Sequence, residues 1–119
     1  MPLELSPARV QAAYEYLAEC RPMHTWNLPA GEDIIFRVGR SKQYRGFCRM
    51  DNDVHTIWIS RTLITTSAEL LLTVSHEMIH LYQNHHDVKS WCDYGGHDEM
   101  FWALARQLIS EHGFDPRIF

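Results

Sequence analysis

The sequence predicts a single α+β domain with an N-terminal helix, a small, mostly antiparallel three-stranded sheet, a central helix and a C-terminal helix. Apolar residues repeat at helical spacing in three segments, near residues 6–20, 66–86 and 97–112. Between the first two segments, residues 33–60 contain three short runs rich in β-branched and aromatic side chains. The 119 residues are enough for one core, so we expect one domain over residues 1–119.

The first helix is predicted over residues 6 to about 20. Ser6 is suited to cap the helix, and Pro7 suits the first helical position because proline lacks the amide hydrogen that would stay unpaired there. The apolar side chains of its inner face are Val10, Ala13, Tyr14 and Leu17. Proline and glycine in residues 21–31 then predict a loop.

Three strands are predicted at residues 33–38, about 44–50 and 54–60. The sequence DND at residues 51–53 is typical of a turn and joins the second strand to the third. Because side chains alternate along a strand, Ile57 and Ile59 are expected on one face, and Thr56 and Trp58 on the other.

The second helix is predicted to begin near Thr66. Thr66 and Glu69 have the spacing of a capping box, and the helix is expected to end by His85 or His86. Its apolar stripe consists of Leu71, Val74, Met78 and Leu81. A polar loop follows at residues 84–96.

The third helix is predicted from His97 or Asp98 to His112. Asp98 and Glu99 lie in its first turn, where the helix dipole favours acids, and Gly113 is suited to end it.

Charge is unevenly distributed along the chain. The net charge is −4, which argues against a protein that wraps nucleic acid. Residues 37–61 nevertheless hold six of the eleven basic residues and only two acidic ones, together with Tyr44, Phe47 and Trp58. A solvated surface is the ordinary interpretation of such a cluster, and weak nucleic-acid contact through this region is the alternative.

Several observations predict a cytoplasmic protein without membrane contact. No apolar run approaches the ~20 residues that span a bilayer. The N-terminus has neither the basic nor the apolar region of a signal peptide. The three cysteines are odd in number, and no two are spaced as in a CxxC pair, so free thiols are expected.

Residues 76–80 read HEMIH on the predicted second helix. His76 and His80 are four residues apart, so both imidazoles project from one face within reach of one metal ion. Glu77 flanks that position, where a carboxylate can take a proton from metal-bound water. The pattern predicts a hydrolytic zinc site with Glu77 as general base; a solvated helix face is the alternative interpretation.

A hydrolytic zinc site needs three protein ligands and one open position. His97 is the favoured third ligand, because it lies 17 residues after His80 and directly follows two glycines. Glu99 is the second choice and His86 the third. Use of His86 requires a sharp turn, and Gln83 stands where glycine usually supplies that turn.

These residues resemble the SprT-like family of metallopeptidases. The matching motifs are TVSHEMIH at residues 73–80 and GHDEMF at 96–101, within a likeness that covers roughly residues 45–110. The resemblance implies a zincin-like fold, zinc on His76, His80 and His97, Glu77 as general base, and proteolysis, in some members of proteins crosslinked to DNA. Asp98 stands where the family usually has glycine, and no cysteine-rich zinc ribbon follows.

The predicted function is therefore a zinc metallopeptidase acting on a protein or peptide substrate. The strand at residues 54–60 is expected to border the cleft and hold an extended peptide. Tyr82, Tyr94 and His86 are candidate donors to the oxyanion, with ordinary packing favoured for both tyrosines.

Two other functions stay open at this point. The spacing of His76, His80 and His86 is similar to that of YbeY-like endoribonucleases, which are metal-dependent. The third interpretation is a non-catalytic, zinc-stabilised binding module, although such a module has no need of Glu77.

Overall fold

The computed structural model describes residues 4–86 and 97–119, and the structural statements below concern those residues. The chain forms an α+β fold of three helices and one three-stranded sheet. In chain order the elements are α1 (Pro7–Glu19), β1 (Ile34–Gly39), β2 (Gly46–Asp51), β3 (Val54–Ser60), α2 (Ser67–His85) and α3 (Glu99–His112). Short 3-10 turns at Met23–Thr25 and Gly31–Asp33 connect α1 to the sheet.

The helix ends follow from their capping residues. The Ser6 hydroxyl accepts a hydrogen bond from the amide of Arg9 at 3.2 Å, which starts α1. Thr66 accepts from the amide of Glu69 at 3.1 Å in the same way, which starts α2. Gly113 ends α3 with φ of 70°, a conformation that glycine adopts without strain. The predicted helices are confirmed.

The sheet is mixed, so the prediction of a mostly antiparallel sheet is wrong. The strand order is β1-β3-β2, with β2 antiparallel and β1 parallel to β3. Asn52 and Asp53 have φ of 50° and 63°, as a two-residue hairpin between β2 and β3 requires. β1 then pairs with the free edge of β3. β3 is buried along most of its length, as is typical of a strand at the centre of a sheet. β3 therefore has no free edge on which an extended peptide could be held, contrary to the expectation for residues 54–60, whereas β2 forms one edge of the sheet.

One face of the sheet packs against the helices and forms the core. Ile57 and Ile59 of β3 are fully buried and lie on this face, as predicted. From β1, Phe36 contacts the ring of Tyr14 in α1 at 5.5 Å between centroids. Helix α2 contacts the sheet and both other helices and is buried over most of its length. This burial holds the side chains of α2 in fixed positions. None of the described helices is long and apolar enough to cross a membrane.

Candidate metal centre

Three histidine rings meet beside α2. The Nε2 atom of His97 lies 3.2 Å from Nε2 of His76 and 3.1 Å from Nε2 of His80. Tetrahedral zinc ligands, with Zn–N near 2.05 Å, stand about 3.3 Å apart. Both distances are close to this value, and the ligand atoms of all three histidines lie within 4.8 Å of one another, so the trio could hold a metal ion.

A contact at Nδ1, on the side of the ring away from the other two histidines, fixes the orientation of His76. Its Nδ1 atom lies 2.8 Å from the main-chain oxygen of Phe119. That oxygen can only accept, so Nδ1 carries the proton and Nε2 presents a bare lone pair to His97. Metal-binding histidines are ordinarily held in this way by a partner on the second nitrogen. The contact joins residues 43 apart and has no signal in the sequence.

Gln83 links α2 to the start of α3. Its side-chain amide donates to Asp98 at 3.1 Å, and Asp98 also accepts from the amide of Phe101 at 2.9 Å as the N-cap of α3. The side-chain oxygen of Gln83 also acts as a hydrogen-bond acceptor for His80, which partly offsets the lowering of the His80 pKa by burial. Gln83 therefore connects His80 to Asp98, the residue that follows His97. Asp98 replaces the family's usual glycine with a side chain that starts the helix.

Burial keeps the histidines neutral. It lowers the pKa of His76 and of His80 to about 4, with smaller contributions from the neighbouring histidines. Burial also lowers the pKa of His97. Neutral imidazole is the form that binds a metal, so all three rings are ready to bind at neutral pH.

Glu77 is buried directly beside this trio, with 4% of its surface exposed. Burial raises the pKa of its carboxyl to about 8. On the neighbouring strand β2, burial and the Glu77 carboxylate together raise the pKa of the Cys48 thiol. Glu77 therefore holds a proton more readily than an exposed glutamate does.

The other candidate residues lie apart from the three histidines. His86 places its Nε2 atom 2.8 Å from the main-chain oxygen of Trp26, and Tyr82 packs its ring on the ring of Trp26 at 5.5 Å. Glu99 is exposed in the first turn of α3. Tyr94 falls outside the described residues. The structure brings His97 to the site and leaves His86 and Glu99 away from it.

The cleft beside Glu77 opens toward the start of β2. Arg45, which precedes that strand, donates from its guanidinium to the main-chain oxygen of Ile118 at 3.0 Å. The segment that fixes His76 therefore also forms a wall of this cleft. Sequence reasoning missed Arg45, Ile118 and Phe119 as parts of the site.

Comparison with known proteins agrees with this arrangement. The SprT-like family profile matches residues 13–118, which includes the three histidines, Glu77 and all three strands. No curated protein matches the sequence. With a family match over most of its length and the histidines brought together in space, the chain belongs to the SprT-like family.

Proposed function

We propose that the protein is a cytoplasmic zinc-dependent metallopeptidase that hydrolyses peptide bonds in a protein substrate. The observation that carries the proposal is the convergence of His76, His80 and His97 beside a buried Glu77. Three neutral histidine nitrogens with a fourth position open are the donor set of catalytic zinc sites.

Zinc at this position would polarise the substrate carbonyl and lower the pKa of a water molecule to about 7. In the proposed mechanism Glu77 accepts the proton of that water and then passes it to the leaving nitrogen. Burial raises the pKa of Glu77 in the metal-free protein, and the positive charge of a bound zinc ion would lower it toward the working pH, where an acid–base group transfers protons best. Phe119 holds the His76 ring in position throughout.

The substrate backbone is proposed to lie along β2. This strand forms an edge of the sheet, and its first residue, Gly46, lines the cleft together with His76 and Glu77. An extended peptide can add to such an edge through main-chain hydrogen bonds. β2 thus takes the role that we had expected for β3.

The two alternative functions have less support. The endoribonuclease site needs His86, whose ring nitrogen is engaged with Trp26. A non-catalytic module gains nothing from Glu77, since burying a carboxyl costs free energy. A costly buried acid beside a candidate metal site is more typical of catalysis.

Removal of the metal tests the proposal. We expect purified protein to contain about one zinc per chain and to cleave an unfolded protein substrate. A chelator should abolish cleavage, and a stoichiometric amount of zinc should restore it. Metal content and substrate fragments are measured on the same samples by elemental analysis and mass spectrometry. Cleavage that persists in protein shown to be free of metal would exclude the proposed mechanism.

We further propose weak nucleic-acid contact on the sheet face that points away from the helices. On this face the rings of Phe47 and Trp58 are stacked, with centroids 5.2 Å apart and planes 8° apart. Tyr44 packs edge-on against Trp58 at 5.8 Å, and the Arg49 guanidinium lies over Phe47. Aromatic rings beside arginine are the usual elements of single-strand binding surfaces.

A pair of exposed tyrosines provides the test of this contact. Tyr44 is 52% exposed on the proposed surface, and Tyr16 is 62% exposed on α1. In fluorescence anisotropy with a labelled oligothymidylate, Tyr44→Ala should weaken binding roughly 5-fold or more, because a stacked base contributes about 1–3 kcal/mol. Tyr16→Ala should have no effect. Equal affinities of wild type and Tyr44→Ala, or no binding at low salt, would refute the proposal.

A further inference from the structure

Gln83 and Asp98 both stand where glycine is usual in the zinc motifs considered above. Gln83 takes the place of the glycine that supplies the sharp turn in the His86 arrangement, and Asp98 takes the place of the glycine usual in the SprT-like family. The two side chains are bonded to each other, since the Gln83 amide donates to a carboxylate oxygen of Asp98 at 3.1 Å. They lie 15 residues apart in the chain, so only the folded protein brings them together.

Asp98 fixes the start of α3 next to a metal ligand. The carboxylate oxygen that receives the Gln83 amide also accepts from the main-chain amide of Phe101 at 2.9 Å. Gln83 has only 4% of its surface exposed and lies on α2, the helix that carries two of the three histidines. The pair therefore joins the helix of two ligands to the segment that carries the third, His97.

The ring of Phe101 extends this connection to all three ligands. It is fully buried, and its centroid lies 4.9 Å from the ring centroids of His76 and His80 and 4.5 Å from that of His97. It is stacked on His80, with the planes 24° apart. Because Asp98 holds the main chain of Phe101, a shift of this cap would move the surface on which the three imidazoles pack.

Metal binding is sensitive to small shifts of this kind. The distance from a metal to each ligand atom must stay within about 0.2 Å of its ideal value. The side chains that hold the ligands therefore matter, and their replacement typically changes metal affinity 10–100-fold. Gln83 is bonded on both sides, since its side-chain oxygen accepts from His80 while its amide donates to Asp98.

We propose that Gln83 and Asp98 are positioning residues that act as one pair and hold His97 and Phe101 at the distance from α2 that metal binding requires. The inference rests on the proposed metal function of the three histidines and identifies what sets the position of the third. Glycine at position 98, although usual in the family, would remove the acceptor of the Gln83 amide in this chain and so weaken the metal site.

The zinc affinities of Asp98→Gly and Gln83→Leu test the pair. Each substitution removes one end of the same hydrogen bond, and each should weaken zinc binding at pH 7 roughly tenfold or more. Glycine is nearly as good as aspartate at a helix N-cap, so α3 should still form in Asp98→Gly. Affinity is measured by competition with a chromophoric chelator, and circular dichroism of the metal-free variants shows whether they are folded.

Two controls separate the hydrogen bond from charge and from composition. Asp98→Asn keeps a side-chain oxygen that can accept from Gln83 and from the Phe101 amide, so its zinc affinity should stay within about threefold of the wild type. Gln107→Leu makes the same change as Gln83→Leu at an exposed site on α3 and should have no effect. A loss in Asp98→Asn as large as that in Asp98→Gly would refute the positioning role, because charge alone would then explain it.

The double variant decides whether the two residues act as one. Because both single substitutions break the same bond, Gln83→Leu combined with Asp98→Gly should weaken zinc binding no more than the more damaging single substitution does. Losses that multiply, or wild-type affinity in either single variant, would overturn the pair and leave the peptidase function standing. A wild type that binds no zinc would overturn both.

Discussion

Replacement of Glu77 by glutamine is expected to abolish peptide hydrolysis while the metal stays bound. Glutamine has nearly the same shape but cannot accept the proton of the attacking water. Loss of a general base lowers kcat by roughly 10²–10⁴-fold. The measurement is kcat on a cleaved peptide, together with the zinc content of the same preparation. Activity within tenfold of the wild type in a zinc-loaded variant would mean that Glu77 is not the base.

The metal-free form of this variant supplies a control that does not depend on catalysis. The Glu77 carboxyl titrates near pH 4.5 when unfolded, and burial raises its folded pKa to about 8. Between these values the folded chain binds more protons than the unfolded chain, so this group lowers stability as pH rises. Glutamine does not titrate. We therefore expect the free energy of unfolding of the variant, relative to that of the wild type, to rise between pH 5 and pH 8.

Local sequence signals were enough to predict the helices but not the order of the strands. The caps at Ser6, Thr66 and Gly113 act within one turn of their own helices, so their effect can be read from neighbouring residues. The pairing of β1 with β3 joins segments that are about 20 residues apart. Alternating apolar residues occur in a strand whichever neighbour it has, so the pattern could not distinguish a parallel from an antiparallel partner.

The candidate site was likewise predictable only where its residues are close together in the sequence. His76, Glu77 and His80 lie on one helix, so their spacing alone places them together. His97 was favoured from its position after two glycines and from the family resemblance. The bonds from His76 to Phe119 and from Gln83 to Asp98 depend on tertiary packing. Short-range sequence patterns do not predict such contacts, so the sequence indicated only that Gln83 disfavours a sharp turn.

Replacement of His97 by alanine is expected to remove the metal from the protein. Structural zinc with four ligands is bound by about 10–16 kcal/mol, so one ligand accounts for roughly 3–4 kcal/mol, or about 10²–10³-fold in affinity. Zinc affinity is measured at pH 7 by competition with a chromophoric chelator, and zinc content after dialysis. The loss should occur without unfolding, because His97 precedes α3 and its ring is only partly buried.

His86→Ala and Glu99→Ala are the matched controls, since each removes a side chain that was considered as the third ligand. His86→Ala breaks the hydrogen bond to Trp26 and should lower stability by about 1 kcal/mol without weakening zinc binding. Glu99→Ala removes an exposed carboxylate from the first turn of α3, so it should leave zinc binding unchanged and lower stability by at most about 1 kcal/mol. Full zinc affinity in His97→Ala, with loss in His86→Ala, would transfer the third position to His86. That result would replace the peptidase hypothesis with metal-dependent RNA cleavage, because only that site uses the His76, His80 and His86 set.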